Sequence, residues 1–171
     1  YISARSSIDT SIGLSLHHLS PLPTEIEEHA LIVIPGVRGD SFDHRTPAAL
    51  ETINWLRQSV NSSHRIACVC AGALIAAHAG LLKNRRATTH HSHCAELAEV
   101  DASIQVEDNR IFVEDGNILT SAGVTAGIDL SLHLISHICS PKTAMAVARA
   151  MVVYFRRSGN DPQLSAWLQH R

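Results

Sequence analysis

The stretch that decides the fold runs from Arg65 to Ala73 and has the sequence RIACVCAGA. It opens with a mostly apolar run, Cys70 follows, and a glycine stands two positions after that cysteine, ahead of an alanine-rich segment. A strand, a sharp turn and a helix in so few residues are typical of a nucleophile elbow, in which small residues around the nucleophile let strand and helix approach closely. The stretch therefore predicts an α/β fold with Cys70 at a turn where a helix begins.

Cys70 supports two interpretations. At the start of a helix, backbone N–H groups and the helix dipole favour a reactive thiolate. A cysteine between valine and alanine is also compatible with a small buried hydrophobe, and Cys-x-Gly is a short motif. Cys68 lies two positions earlier, on the same face of the strand but deeper, so we interpret it as a packing residue.

The bulk composition predicts a single globular domain. The chain has 171 residues, of which 45% are hydrophobic, which is enough for a sizeable core. Its 14 basic and 16 acidic residues give a net charge of −2 without a basic block, so this part of the chain has no evident nucleic-acid surface. No apolar run approaches the length of a membrane span, and we expect no membrane partner.

The cysteines and the first residues of the chain indicate the cellular compartment of the protein. The four cysteines lack the spacing of a disulfide framework, and no secretory signal opens the sequence. Both observations favour a reducing compartment, so we predict a cytoplasmic protein. The sequence begins at Tyr1 without an initiator methionine, in what we interpret as the middle of a strand, which indicates a fragment.

Apolar runs alternate with helical patterns, which predicts an α/β fold with a mostly parallel sheet. Leu31–Ile34 is apolar on both faces and ends in Pro35-Gly36, as expected of a central strand whose carboxyl end borders a site. Thr46 and Pro47 predict the cap and the first residue of a helix. The predicted strands are 11–16, 31–34, 65–69, 87–89, 104–106, 111–113 and 117–121. The predicted helices are 47–60, 71–79, 93–98, 124–138 and 141–157.

Three segments resemble the class I glutamine amidotransferase-like superfamily and its PfpI-type members, namely residues 67–73, 87–90 and 120–129. The ending at 152–157 is similar to that of the N-terminal domain of AraC-type transcriptional regulators, the group that the chain resembles most. The resemblance covers nearly the whole chain. It implies a flavodoxin-like three-layer sandwich with a mostly parallel central sheet, frequent dimers, and a linker to a helix-turn-helix DNA-binding domain.

The resemblance also implies a site at the carboxyl edge of the sheet. It assigns Cys70 to the position of the nucleophile and His90 to that of its partner. The predicted ligand-binding residues are Gly36, Val37, Cys70, Ala71, His90 and Ser121. A catalytic Cys–His pair commonly has a third group that orients the histidine, and the candidates for it are Asp40, Asp43 and Glu96.

Two departures from the family pattern affect this site. The Pro-Gly-Gly turn of the family is Pro35-Gly36-Val37 here, which weakens an oxyanion role for the turn. The first strand of the family, which often carries an acidic residue beside the cysteine, has no counterpart. We expect that strand to lie before Tyr1.

We predict a ligand-sensing regulatory domain rather than an enzyme. Residues 1–158 form the amidotransferase-like domain, and 159–171 form a linker toward a DNA-binding domain beyond Arg171. A small polar metabolite is the expected effector and a homodimer the expected assembly, with DNA a partner only through the missing domain. Fold alone does not decide function, so a hydratase, amidase or glyoxalase-like enzyme using Cys70 and His90 is an alternative, and a thiol redox sensor is another.

Metal binding is a further interpretation of one segment. His90, His91, His93 and Cys94 are soft ligands close together in sequence. Adjacent residues on a strand point to opposite faces, however, and the segment lacks paired Cys-x-x-Cys or His-x-x-x-His spacing. We therefore predict no metal site and no cofactor.

Overall fold

A four-stranded sheet forms the centre of the chain. A computed structural model describes residues 1–10, 12–36, 43–154 and 156–165. The strands in these ranges are β1 (Ser7–Asp9), β2 (Ser15–His17), β3 (Leu31–Ile34), β4 (Arg65–Val69), β5 (Arg86–Ala87), β6 (Gln105–Val106), β7 (Phe112–Asp115) and β8 (Ile118–Ser121). The helices in the same ranges are α1 (Pro47–Ser59), α2 (Gly72–His78), α3 (Cys94–Val100), α4 (Ala126–Ile138) and α5 (Pro141–Ala150). The central sheet has the order β3-β4-β8-β7, with only β7 antiparallel to its neighbour.

Strand β4 separates two helical layers. Side chains alternate between the two faces of a strand, so Ile66 and Cys68 pack with α1 and α2, whereas Ala67 packs with α4. All three side chains are buried. A mostly parallel sheet with helices on both faces is the flavodoxin-like sandwich that the resemblance implied, and that prediction is confirmed.

Helix α1 begins where the sequence predicts. The Thr46 hydroxyl accepts a hydrogen bond from the N–H of Ala49 at 3.3 Å, and Pro47 is the first helical residue. These are the preferred residues for the cap and the first turn, because the cap satisfies an orphan N–H and proline has none to satisfy. Ile53 and Leu56 then bury the predicted apolar face against the sheet.

Strand β3 lies at an edge of the sheet formed by the described residues, where the sequence predicted a central strand. Among the described residues it pairs only with β4. Val33 is 57% exposed, while Ile34 on the opposite face is buried. An apolar run predicts a strand, but it does not reveal how many neighbours that strand has.

Two predicted strands are shifted or shortened. The alternation over 11–16 predicted a strand, but β2 begins at Ser15 and pairs antiparallel with β1; Ser11 lies outside the described residues. The predicted strand 87–89 ends at Ala87 as β5. The next residue leaves the ladder because the N–H of Thr88 donates to the hydroxyl of Thr120 at 2.8 Å.

Helix α5 ends at Ala150, and the predicted end near 157 is wrong. The backbone of Val152 has a φ of 54°, a left-handed conformation that a right-handed helix cannot include. Phe155, which the predicted helix 141–157 includes, lies outside the described residues. Arg157 has left the helix and forms an ion pair with Asp129 of α4.

Helix α4 has the wide apolar face that the sequence predicts. Leu130, Leu132 and Leu134 are all buried. The helix begins at Ala126, two residues later than predicted, and Val124 before it is 81% exposed. None of the helices in the described ranges has the length and apolar character needed to cross a membrane.

Candidate functional site

Cys70 lies at the turn between β4 and α2, as the elbow motif predicts. Its φ of 55° is left-handed, a conformation that costs a residue with a side chain roughly 1–2 kcal/mol. The N–H of Cys70 donates to the carbonyl of Ser121 at 3.0 Å, so strand β8 holds the turn in place. Backbone strain of this kind is concentrated at functional sites.

Two glycines allow the surrounding backbone to approach the turn. A Cβ atom at Gly36 would lie 2.8 Å from the Cβ of Cys70. A Cβ atom at Gly72 would overlap the carbonyl oxygen of Ile34. Since neither position can hold a side chain without displacing the backbone around it, glycine is required where β3 ends and where α2 begins. Of the predicted ligand-binding residues, Gly36 and Cys70 are therefore in direct contact.

The two elbow cysteines differ in environment, as predicted. Cys68 is fully buried, and burial raises the pKa of its thiol to about 12. A thiol in that state is inert packing, which confirms the interpretation of Cys68. Cys70 is partly exposed, so a reagent or ligand can reach it.

Ala71 and Ser121 complete the part of the predicted site that surrounds the turn. The N–H groups of Ala71 and Gly72 have no hydrogen-bond partner within the described ranges, so two donors lie next to Cys70. Ser121 is fully buried and its hydroxyl lies 3.5 Å from the carbonyl of Cys68. Its observed contact with the turn is made through its backbone carbonyl. Val37 lies outside the described residues.

The segment that carries His90 is fastened to the elbow. The hydroxyl of Thr89 donates to the carbonyl of Cys70 at 2.8 Å. Thr88 and Thr89 are both fully buried, and the bond from Thr88 to Thr120 ties the same segment to β8. The fold thus places His90 at the carboxyl edge of the sheet, directly after two buried threonines that are hydrogen-bonded to it.

His90 is partly buried against Gly123, which lies ahead of α4. A Cβ atom at Gly123 would overlap the imidazole, so the ring packs directly on the backbone there. Its Nδ1 lies 2.7 Å from the hydroxyl of Ser92. Burial, followed by the proximity of His91 and His93, lowers the pKa of His90. Within the described ranges no hydrogen bond joins the Cys70 thiol to this imidazole.

The candidate third groups have other partners. Glu96 binds Nδ1 of His93 at 2.8 Å, and the carboxylate of Asp43 accepts from the N–H of Arg45. Asp40 lies outside the described residues. In the described part of the chain no group of three or more His, Cys, Asp or Glu side chains is arranged to hold a metal ion.

The placement of the segment after α5 was not predicted from the sequence. Residues 156–165, which we call the tail, fold back over the carboxyl edge of the sheet. Arg157 donates from Nε and from its backbone N–H to the buried carboxylate of Asp129, each at 2.9 Å. The side-chain amide of Gln163 donates to the hydroxyl of Thr88 and to the carbonyl of Thr89. The one available signal was Asp129, the only acidic residue in helix α4.

A cavity of about 220 Å³ lies between this tail and the domain. We call it the tail cavity. One wall is His90 and His91, another is residues 122–126, which lead into α4, and a third is Arg157 and Gln163 of the tail. His90 therefore borders both the elbow segment and this cavity.

The sequence is similar to that of known proteins, and one family model matches most of the chain. The sequence model of the DJ-1/PfpI family matches residues 3–137. An isonitrile hydratase of Pseudomonas putida is 36% identical over 97 residues, covering 57% of this chain and 41% of the hydratase. The HTH-type transcriptional regulator CdhR of Pseudomonas aeruginosa is 35% identical over 118 residues, covering 69% of this chain and 34% of the regulator.

The fold has close neighbours among solved structures. That of an AraC family transcriptional regulator from Pseudomonas putida superimposes with a TM-score of 0.70 over 88% of this chain and 78% of that one. Sequence identity in that alignment is 20%, so it supports the fold alone. The chain spans 41% and 34% of the lengths of the two curated relatives above, which are therefore much longer than the matched region.

Proposed function

This chain belongs to the DJ-1/PfpI family, and we propose that it is the ligand-sensing regulatory domain of an AraC-type transcription factor. Residues 1–158 form the sensing domain, and 159–171 connect it to a DNA-binding domain beyond Arg171. A small polar metabolite binds at the carboxyl edge of the sheet. The proposed ligand-binding residues are Gly36, Val37, Cys70, Ala71, His90 and Ser121.

The observation that carries the proposal is the docking of the tail beside this edge. Gln163 donates to the carbonyl of Thr89, and Thr89 donates to the carbonyl of Cys70. The segment that would lead to a DNA-binding domain is thus two hydrogen bonds away from the elbow. A ligand that changes the elbow or the His90 segment changes the contacts that hold this tail.

A homodimer in the cytoplasm is the proposed working form. Regulators with helix-turn-helix domains bind paired half-sites, so the relative placement of two DNA-binding domains decides affinity for an operator. An effector that favours one placement over the other shifts that equilibrium by its difference in affinity for the two states. The similarity to the regulator CdhR supports this assignment.

The test uses the complete gene product. First, the reading frame is followed past codon 171; a stop codon without a DNA-binding domain overturns the proposal. Binding of the full-length protein to DNA from its own promoter region is then measured across a metabolite panel. We expect at least one metabolite to change the affinity in the wild type and less in Cys70→Ala. Cys139→Ala is the matched control, because Cys139 is exposed and follows α4, outside the elbow.

A cysteine-dependent enzyme is the second candidate. The left-handed backbone at Cys70 and the two N–H groups beside it favour this alternative, as does the similarity to an isonitrile hydratase. In that case the Cys70 thiol adds to an electrophilic carbon of the substrate while His90 takes up its proton. The enzyme hypothesis predicts a covalent adduct at Cys70, visible by mass spectrometry, and turnover that disappears in Cys70→Ala but persists in Cys139→Ala.

A further inference from the structure

Several hydrogen-bond donors border the tail cavity, and no acidic side chain lines it within the described ranges. Arg157, His90 and His91 all border it. The N–H groups of Val124 and Thr125, just ahead of α4, have no hydrogen-bond partner in the described part of the chain. Such a lining disfavours a cation and favours an anionic group.

Arg157 retains binding capacity after its contacts with the domain. Its Nε donates to Asp129, and its Nη2 forms an ion pair with the same carboxylate and donates to the hydroxyl of Thr125 at 3.0 Å. No hydrogen bond engages Nη1 among the described residues. Asp129 is almost fully buried behind the guanidinium, whose side chain is 29% exposed. The cavity therefore borders the guanidinium directly, whereas Asp129 is not among its lining residues.

The rest of the lining sets the size and character of the occupant. Ile111, Ala122 and Ala126 form a buried apolar floor. The volume of about 220 Å³ lies below the roughly 300–1,000 Å³ of pockets for drug-sized ligands. The fitting molecule is thus small, with an anionic end and a short aliphatic body.

We propose that the tail cavity binds a small aliphatic carboxylate, with Arg157 as its charge partner, and that the bound molecule fastens the tail to the domain. This inference rests on the proposed sensing function and adds a second ligand site, which shares His90 with the ligand-binding residues proposed above. The ligand touches both the tail and the domain, so its binding free energy is added to the contacts that already hold residues 156–165 in place. The tail is then the output element of the sensor.

The tail has its own contacts that a ligand can reinforce. The N–H of Ile111 donates to the carbonyls of Gly159 and Asp161, each at 3.1 Å. Arg110 reaches the carbonyl of Asn160 at 3.2 Å. The bond from Arg110 is exposed to solvent, where such contacts open readily, so a modest added free energy shifts the equilibrium between docked and released tail.

The test compares butyrate with butyramide, which has the same shape and no charge, on the isotopically labelled 171-residue chain. We expect butyrate to cause saturable NMR shifts at Arg157 Nε–H, at the side-chain amide of Gln163 and at backbone amides 123–126. Butyrate also slows hydrogen exchange in 156–165, whereas butyramide does neither. Equal responses to the two probes, shifts that map elsewhere, or no saturable shift overturn the inference.

A matched pair of variants tests whether charge at the cavity determines the binding of butyrate. Val124 borders the cavity and is exposed, so Val124→Asp adds a carboxylate there without disturbing the core, and Val124→Asn is its neutral isostere. Repulsion across a few ångströms predicts that Val124→Asp weakens butyrate binding about tenfold relative to Val124→Asn. Indistinguishable variants overturn the proposal.

The proposed sensing function and the proposed carboxylate site can be refuted independently. If the cavity binds butyrate as described while no metabolite alters DNA binding by the full-length protein, the sensing function is wrong and the site stands. If metabolites alter DNA binding while the cavity ignores carboxylates, the sensing function stands and the assignment of this cavity is wrong.

Discussion

The hydroxyl of Thr89 donates a 2.8 Å hydrogen bond to the carbonyl of Cys70, and this bond fastens the histidine-bearing segment to the elbow. Thr89→Val keeps the shape of the side chain but removes the donor. We expect the free energy of unfolding to fall by about 1 kcal/mol, the net worth of a typical buried hydrogen bond. Urea denaturation measures it. Thr52→Val is the control, since that hydroxyl bonds the carbonyl of Ala48 within its own helix, and a loss as large as that of Thr89→Val contradicts the prediction.

The left-handed backbone at Cys70 makes a second prediction. A residue with a Cβ atom is strained at a φ of 55° and glycine is not. Cys70→Gly is therefore expected to be more stable than Cys70→Ala by about 1 kcal/mol. At Ala73 in helix α2 the order reverses, because there Ala73→Gly costs roughly 1 kcal/mol. Denaturation of the three variants checks both signs, and a Cys70→Ala protein more stable than Cys70→Gly refutes the account of the turn.

Alkylation distinguishes the cysteines. Burial raises the pKa of Cys68 to about 12 and also raises that of Cys94. We expect iodoacetamide at mildly alkaline pH to leave Cys68 unlabelled in the native protein, to label Cys94 slowly and to label the exposed Cys139 readily. Mass spectrometry of digested protein gives each rate. The denatured protein is the control, in which all four cysteines react, and native-state labelling of Cys68 at the rate of Cys139 is incompatible with the fold.

The lowered pKa of His90 affects both its own titration and the pH dependence of the free energy of unfolding. Burial lowers it first, and His91 lowers it further, so an NMR titration is expected to give a midpoint below that of the unfolded chain. His91→Gln raises this midpoint. Since the unfolded state takes up the proton more readily, the contribution of His90 to stability is present above its unfolded pKa and is lost as pH falls from there toward its folded pKa. A midpoint at or above the unfolded value contradicts the packing of the ring against Gly123.

Local signals predicted much of the fold. The elbow followed from an apolar strand, Cys70 and Gly72, because close approach of backbone leaves few alternatives to glycine. Helix α1 followed from Thr46 and Pro47, whose preferences are local. The sheet strands 31–34 and 65–69 matched the observed bounds, since they are short apolar runs with clear ends.

Contacts between residues that are distant in sequence account for the features that were not predicted. The apolar periodicity of α5 continues past Ala150, but Arg157 is drawn away to Asp129, which is 28 residues distant in sequence. Nothing in the spacing indicated that partnership. The tail cavity was missed for the same reason, because its walls are three segments far apart in the chain.

The parallel pairing of β4 with β8 determines when during synthesis this side of the sheet can form. Cys68 pairs in register with Thr120, so its strand gains this partner only when residues some fifty positions later have been made. At roughly 5–20 residues per second, that interval is about 3–10 s. During that interval the sheet beside Cys68 is incomplete, so a thiol that is inert in the finished protein has less protection from oxidants in the nascent chain.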